Sequence, residues 1–331
     1  MKEFWKSSSV LITGAGGFIG SHLTEKLLDL EAHVTALVHY NSRNDFGMLK
    51  FIDEKAYPNL KVVFGDIRDA YMMKKLTEGQ EYVFHLAALI GIPYSYVSPN
   101  SYIATNIQGT ANLFQSCIQN KVKKIIHTST SEVYGSAIYT PIDEKHPLQG
   151  QSPYSASKIG ADMTATSYAY SFDLPLVILR PFNTYGPRQS SRAVIPTIIS
   201  QAMTKKKIEI GSISPLRDFN YVQDTVNGFI CLAESKFSNA EVFNLSSDEQ
   251  ISIEDIADLI QRKLKTTVPL VSTAERSRPD RSEVLSLMGD SSYLRDNTTW
   301  KPEISLEKGI DKIIDYIKSH IKEYKTEGYI I

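Results

Sequence analysis

The stretch Val10-Leu11-Ile12-Thr13-Gly14-Ala15-Gly16-Gly17-Phe18-Ile19-Gly20 restricts the possible folds more than any other part of the chain. A short β-favouring run meets glycines at 14, 17 and 20, and a helical apolar stripe (Ile19, Leu23, Leu27, Leu30) comes directly after. The three glycines serve a tight turn, close approach of backbone to a pyrophosphate, and close packing of helix on strand. The helix start leaves N–H groups unpaired and carries partial positive charge, so Gly14, Gly17, Phe18, Ile19 and Gly20 form a cradle for the phosphates of a dinucleotide.

The same pattern runs on through the first half of the chain. Strands are expected at Ser9–Thr13, His33–Val38, Lys61–Phe64, Tyr82–Leu86, Lys124–Thr128 and Pro175–Leu179, alternating with helical stripes such as Ile103, Ile107, Ala111, Leu113 and Ile118. Strand–helix alternation predicts an α/β fold, a Rossmann-type doubly wound parallel sheet, with its ligand beyond the carboxyl ends of the strands. After Arg180 the pattern breaks at Pro181, Gly186 and Pro187, helical stripes return from Ile253 onward, and Asn239–Ser246 reads as one further strand. Residues 1–182, with roughly 221–250, are therefore expected to form the NAD(P)-binding domain. Residues 183–220 and 251–331 would form a smaller, interwoven substrate-binding C-terminal domain.

With 36 basic and 37 acidic residues among 331, the chain has no global field to hold nucleic acid, so an anionic substrate must be met by local arginines. Its two cysteines, Cys117 and Cys231, lie in apolar helical patterns and read as buried free thiols, which favours a reducing compartment. The polar start and the short run Val10–Ile12 read as a first strand rather than a secretory leader. No stretch nears the ~20 apolar residues of a membrane span. A cytoplasmic protein without membrane or nucleic-acid partners is expected.

Tyr154 and Lys158, four apart, share one helical face. A phenol near pKa 10 is too weak a base at neutral pH, and a nearby lysine and an oxidised nicotinamide both favour its phenolate. Tyr154 then takes a proton from a substrate hydroxyl, and Lys158 also holds the cofactor ribose. Thr130, Ser131 and Glu132 end the fifth strand, where the reactive ring of the cofactor should lie. Thr130 suits a hydrogen bond to the reacting hydroxyl, and Glu132 suits removal of a proton from carbon. NAD enzymes place an acid at the end of the second strand, but His39-Tyr40-Asn41-Ser42-Arg43 has none before Asp45. His39, Ser42 and Arg43 instead suit a 2′-phosphate, which favours NADP slightly over NAD, although Arg43 also fits a plain solvated loop cation. Asp66, followed by Ile67, is an acceptor for the adenine amino group or an ordinary turn aspartate. No serine-nucleophile elbow, Walker loop or metal-ligand spacing occurs.

These segments, with His85-Leu86-Ala87-Ala88, Thr105–Thr110, Arg180–Arg188 and Arg217–Val222, resemble the extended short-chain dehydrogenase/reductases, in particular the nucleotide-sugar 4,6-dehydratases. Leu86–Tyr94 and His146–Tyr154 look most like the NDP-N-acetylglucosamine 4,6-dehydratases of the legionaminic acid pathway. GDP-mannose 4,6-dehydratases are similar at Thr130-Ser131-Glu132 but carry paired arginines where His39-Tyr40 stand.

The resemblance implies Leu86, Ala87 and Ala88 at the cofactor, and Asn183, Arg188, Arg217 and Arg278 (with Arg281 near it) at the nucleotide sugar. It further implies hydride transfer from C4 with Tyr154 as base, loss of water across C5/C6 with Glu132 removing the C5 proton, and hydride return to C6. Many dTDP-glucose dehydratases have aspartate at the position of Ser131. A serine is too weak an acid to replace it, so Glu132 or a water relay must carry that proton too. A homodimer through the helices around Ile103–Asn120 and Pro153–Phe172 is also implied. The alternatives are an NDP-glucuronate decarboxylase, an NDP-sugar 4-epimerase and a non-catalytic dinucleotide-binding sensor.

Overall fold

The structure, a computed structural model, describes residues 2–53, 55–273 and 279–324. Its centre is a seven-stranded sheet formed by β1 (Ser9–Thr13), β2 (His33–His39), β3 (Leu60–Gly65), β4 (Tyr82–His85), β5 (Lys124–Thr128), β6 (Leu176–Pro181) and β7 (Glu241–Leu245). The spatial order is β7-β6-β5-β4-β1-β2-β3, and every neighbouring pair is parallel. The order reverses between β1 and β4, which opens a crevice at their carboxyl ends. The stretch expected as a seventh strand does return to this sheet, beside β6.

Successive side chains of a strand point to opposite faces, and both faces here are apolar. Val10 and Ile12 pack with Leu23 and Leu27 of α1 (Phe18–Asp29), whereas Leu11 packs on the other face. That second face is covered by α2 (Ala70–Thr77), α3 (Gly109–Gln119) and α4 (Pro153–Phe172) through Met73, Leu113, Phe114, Ala165 and Ala169. Cys117 and Cys231 are buried and free, as read from the sequence. Trp5, in a segment that reads as polar, is fully buried; its apolar ring seats against Tyr82 and Phe84, and its indole N–H donates to Glu234 at 2.8 Å.

A second apolar core lies over the strand ends. It joins α5 (Val194–Thr204), the start of α6 (Val222–Glu234), α7 (Ile253–Leu264) and α8 (Leu306–Ser319) through Ile198, Val222, Ile256, Ile260, Ile313 and Ile317. The loop-rich reading of this region missed its short strands. Asn183–Tyr185 pairs with Phe219–Tyr221, and Ile208–Ile210 with Leu270–Ser272, in pieces too brief to show a period of two. Among the described residues no helix is long and apolar enough to cross a membrane.

Candidate active site

A cleft of about 1150 Å³ opens between the strand ends and the second core. Its floor begins at the glycine loop. Gly14 has φ +73°, and a Cβ there would sit 2.7 Å from the Ala87 nitrogen; one on Gly20 would overlap the Gly14 carbonyl. Among the described residues no side chain caps α1 at Gly17, and Gly17, Phe18, Ile19 and Gly20 line the cleft, as an anion-binding helix start requires. Gly14, Gly17, Phe18, Ile19, Gly20, Ile67, Leu86, Ala87 and Ala88 all line it. These residues fit a dinucleotide: the cradle tolerates no side chain where a pyrophosphate would pass.

Helix α4 owes its position to Gln151-Ser152-Pro153. The Ser152 hydroxyl accepts from Ser155 N at 3.0 Å in a capping box, and Pro153 opens the first turn. Tyr154 is thereby held in that turn, 7% exposed, facing the cleft. The Thr130 hydroxyl beside its phenol favours ionisation, and the Glu132 charge opposes it. Thr130 in turn accepts from Glu132 N at 3.2 Å, capping the turn Ser131–Tyr134 that presents Ser131 and Glu132. All four residues line the cleft.

The electrostatics differ from the sequence expectation. Burial drives the Tyr154 phenol well above its ordinary value, and Glu132 raises it further, against the Thr130 hydrogen bond. The expected depression by Lys158 is not found: its ammonium donates instead to the Thr128 carbonyl at 2.7 Å. Burial brings Lys158 down to about 8. In the chain alone the phenol therefore keeps its proton at neutral pH.

Beneath this wall lies a buried polar group that sequence reading missed. The Asp162 carboxylate, one turn beyond Lys158, accepts from Ser129 Oγ at 2.8 Å, Arg180 Nη2 at 3.0 Å and His127 Nε2 at 3.2 Å. Asn106, in a π-helical turn before α3, exchanges hydrogen bonds with both backbone groups of Leu89 and donates to Ser157 at 2.9 Å. It ties the cleft segment 89–94 to helix α4.

The remaining expected residues separate. Asn183 lines the cleft, and its buried Nδ2 has no hydrogen-bond partner among the described residues, an orphaned donor that suits a ligand. Arg217 also lines it, with Nη2 paired to Glu283 at 3.2 Å. Arg188 does not line the cleft: at φ +67° the backbone turns its side chain back onto Glu25 of α1, at 2.8 Å. Arg278 lies outside the described residues. His39 lines the cleft, whereas Ser42 and Arg43, two of the three groups expected at a 2′-phosphate, do not. Asp66 lines it with its carboxylate held below its usual range by Arg68, whose Nε donates at 2.9 Å. Arg192, unremarked in the sequence, lines the cleft beside Gly91 and Tyr102 and makes no ion pair among the described residues. Its only signal was a cation just before a helix start.

The family model of GDP-mannose 4,6 dehydratase matches residues 11–313, from the first strand into the last long helix. The chain belongs to this family. The family member described here is similar to the dTDP-D-glucose 4,6-dehydratase of Homo sapiens, with 29% identity over 96% of this chain and 92% of that one. It is 30% identical to the UDP-N-acetyl-alpha-D-glucosaminuronate decarboxylase of Bacillus cytotoxicus, over 93% of this chain and 97% of the relative. Among solved structures it resembles a mutant of the UDP-glucuronic acid 4-epimerase of Bacillus cereus, in complex with UDP-4-deoxy-4-fluoro-glucuronic acid and NAD. That likeness has a TM-score of 0.87 and 30% identity, covering 94% of this chain and 99% of that one.

Proposed function

We propose that this family member is an enzyme that binds a nicotinamide dinucleotide and dehydrates an NDP-hexose, most simply an NDP-N-acetylglucosamine, to the 4-keto-6-deoxy sugar. The reading is carried by one observation: Thr130, Glu132 and Tyr154 all line the one cleft, and the Tyr154 phenol feels both the Thr130 hydroxyl and the Glu132 charge. Hydride transfer alone needs the first and last of these. A carboxylate beside them suits a second proton abstraction, from carbon. The resemblance of Leu86–Tyr94, which lines the cleft, supports an N-acetylated hexose.

Held by the glycine loop and Lys158, a nicotinamide dinucleotide would supply a hydride acceptor for sugar C4 and a hydride donor for C6. Around it, Thr130 holds the C4 oxygen while Tyr154 takes its proton; the positive charge of an oxidised nicotinamide offsets the burial that otherwise keeps the phenol neutral. The resulting ketone acidifies C5, from which Glu132 removes the proton as hydroxide leaves C6. Ser131 lends a hydrogen bond, but its hydroxyl is too weak an acid to protonate the leaving group, so Glu132 delivers that proton. Lys158 anchors the ribose side with an ammonium that remains charged below about pH 8. Asn183 and Arg217 meet the nucleotide sugar. A homodimer through α3 and α4 belongs to the same reading.

A second reading has one observation in its favour. Arg192 supplies a guanidinium without an ion pair among the described residues near the sugar end of the cleft, which an NDP-uronate carboxylate would meet in a decarboxylase or 4-epimerase. Incubation with a panel of NDP-hexoses and NDP-uronates, followed by mass spectrometry, decides between them. Loss of water supports the dehydratase; loss of carbon dioxide, or an isobaric epimer alone, overturns it.

A further inference from the structure

Where an acid at the end of β2 would bond the adenosine ribose, this chain has His39. We infer that Asp45, six residues later, does that work and selects NAD over NADP; the inference rests on the dinucleotide reading above.

The loop after β2 is built to bring Asp45 back. The Asn41 side chain closes it: Oδ1 accepts from Arg43 N at 3.1 Å and Asp45 N at 2.9 Å, and Nδ2 donates to the Asp45 carbonyl at 2.8 Å. Such side-chain-to-backbone bonds make a turn without help from sheet or helix. Asn44 completes it at φ +52°. Beyond Asp45 the chain docks on the phosphate cradle itself. Met48 N donates to the Gly16 carbonyl at 2.8 Å, and Gly47, at φ +61°, lies so close to that carbonyl that a Cβ would overlap it.

The loop is thus fixed at both ends, to its own asparagine and to the glycine turn. The consequence is a sorting of side chains. Asn41, Asp45 and Gly47 line the cleft, whereas Ser42 and Arg43 do not. One Asp45 oxygen accepts from Gly47 N at 2.8 Å, and the other has no protein partner among the described residues.

A carboxylate there accepts hydrogen bonds from ribose hydroxyls and repels a 2′-phosphate, which brings two negative charges to the same place. The cations that would offset that repulsion are engaged or absent. Arg68 is bound to Asp66, Arg43 is outside the lining, and His39 lies 3.7 Å from Asp66. The glycine loop recognises the pyrophosphate, and the Asn41-stapled turn distinguishes the two dinucleotides.

Titration calorimetry of the full chain with NAD⁺ and NADP⁺ tests this without any turnover. The wild type should bind NAD⁺ at least about tenfold more tightly, the scale of one or two charge-assisted hydrogen bonds. Asp45→Ala should bring the two affinities to within about threefold, mostly by weakening NAD⁺, and Asn41→Ala should weaken NAD⁺ in the same sense but less. Asp45 is exposed, so its replacement leaves the fold intact. An undiminished preference in Asp45→Ala overturns the inference, as does a wild-type preference for NADP⁺ that Arg43→Ala abolishes. Binding of neither dinucleotide overturns both this inference and the cofactor reading. The inferred preference without water loss from any NDP-hexose supports Asp45 and overturns the dehydratase reading alone.

Discussion

The Lys158 ammonium donates to the Thr128 carbonyl at 2.7 Å, which fastens helix α4 to the end of the fifth strand two residues before Thr130. One contact thereby couples the helix that carries Tyr154 to the strand end that leads into Thr130. Desolvation lowers the lysine to about 8, because burial penalises the charged form.

The pH dependence derives from that value. Steps that need the ammonium should fade as pH rises through about 8, so kcat/KM, which reports the free enzyme, should fall on its alkaline side there. Stability should move the other way. Between about 8 and the ordinary lysine value the unfolded chain binds the extra proton, so unfolding becomes harder as pH rises through that window. Lys158→Ala should lower kcat by about 10²–10⁴-fold and remove this part of the stability profile; chemical denaturation across roughly pH 7–11 checks it.

Asp162 is the carboxylate beneath the site that offsets the buried Arg180 guanidinium. Asp162→Asn strands that cation in the interior, where losing one partner of a buried pair costs about 3–5 kcal/mol. A clear fall in Tm is expected, together with loosened Ser129 and reduced kcat. Thermal unfolding within a degree of wild type would show that the pair carries little.

Gly20 leaves no room for a methyl group against the Gly14 carbonyl. Gly20→Ala should destabilise the chain by about 1–3 kcal/mol through overpacking and abolish the rise in Tm that a nicotinamide dinucleotide gives the wild type. Retention of the full ligand-induced shift would place the phosphates elsewhere.

Helix α4 leaves Met163, Tyr170 and Phe172 exposed, apolar surface consistent with a partner helix. Light scattering should give twice the chain mass, and Met163→Glu with Tyr170→Glu should shift it toward one chain mass. A monomeric wild type would exclude the dimer.

Much of the fold is legible in the sequence, because the parallel strands are apolar runs and the turn at Gly14–Gly20 admits few alternatives. Lys124–Thr128 and Pro153–Phe172 have the same bounds in sequence and structure. Legibility ends where side chains act over sequence distance. Nothing near Arg188 in the sequence signals that Glu25, far upstream, takes its guanidinium. Asp45 lies too far past the strand for a linear rule, and only the Asn41 turn returns it to the cleft. The phenol of Tyr154 illustrates the same limit in energetics. Spacing puts a lysine on its helical face, but burial and the direction of the ammonium decide the sign of the shift.

In the proposed reaction Glu132 and Tyr154 act on neighbouring positions of one sugar ring. A single-turnover experiment with Glu132→Gln, loaded with oxidised dinucleotide and the NDP-hexose that the wild type dehydrates, tests it most directly. Tyr154 remains able to take the C4 proton, so absorbance of reduced dinucleotide should rise and persist while no water is lost from the sugar. Wild-type rates of water loss, with no build-up of the reduced form, would contradict the account.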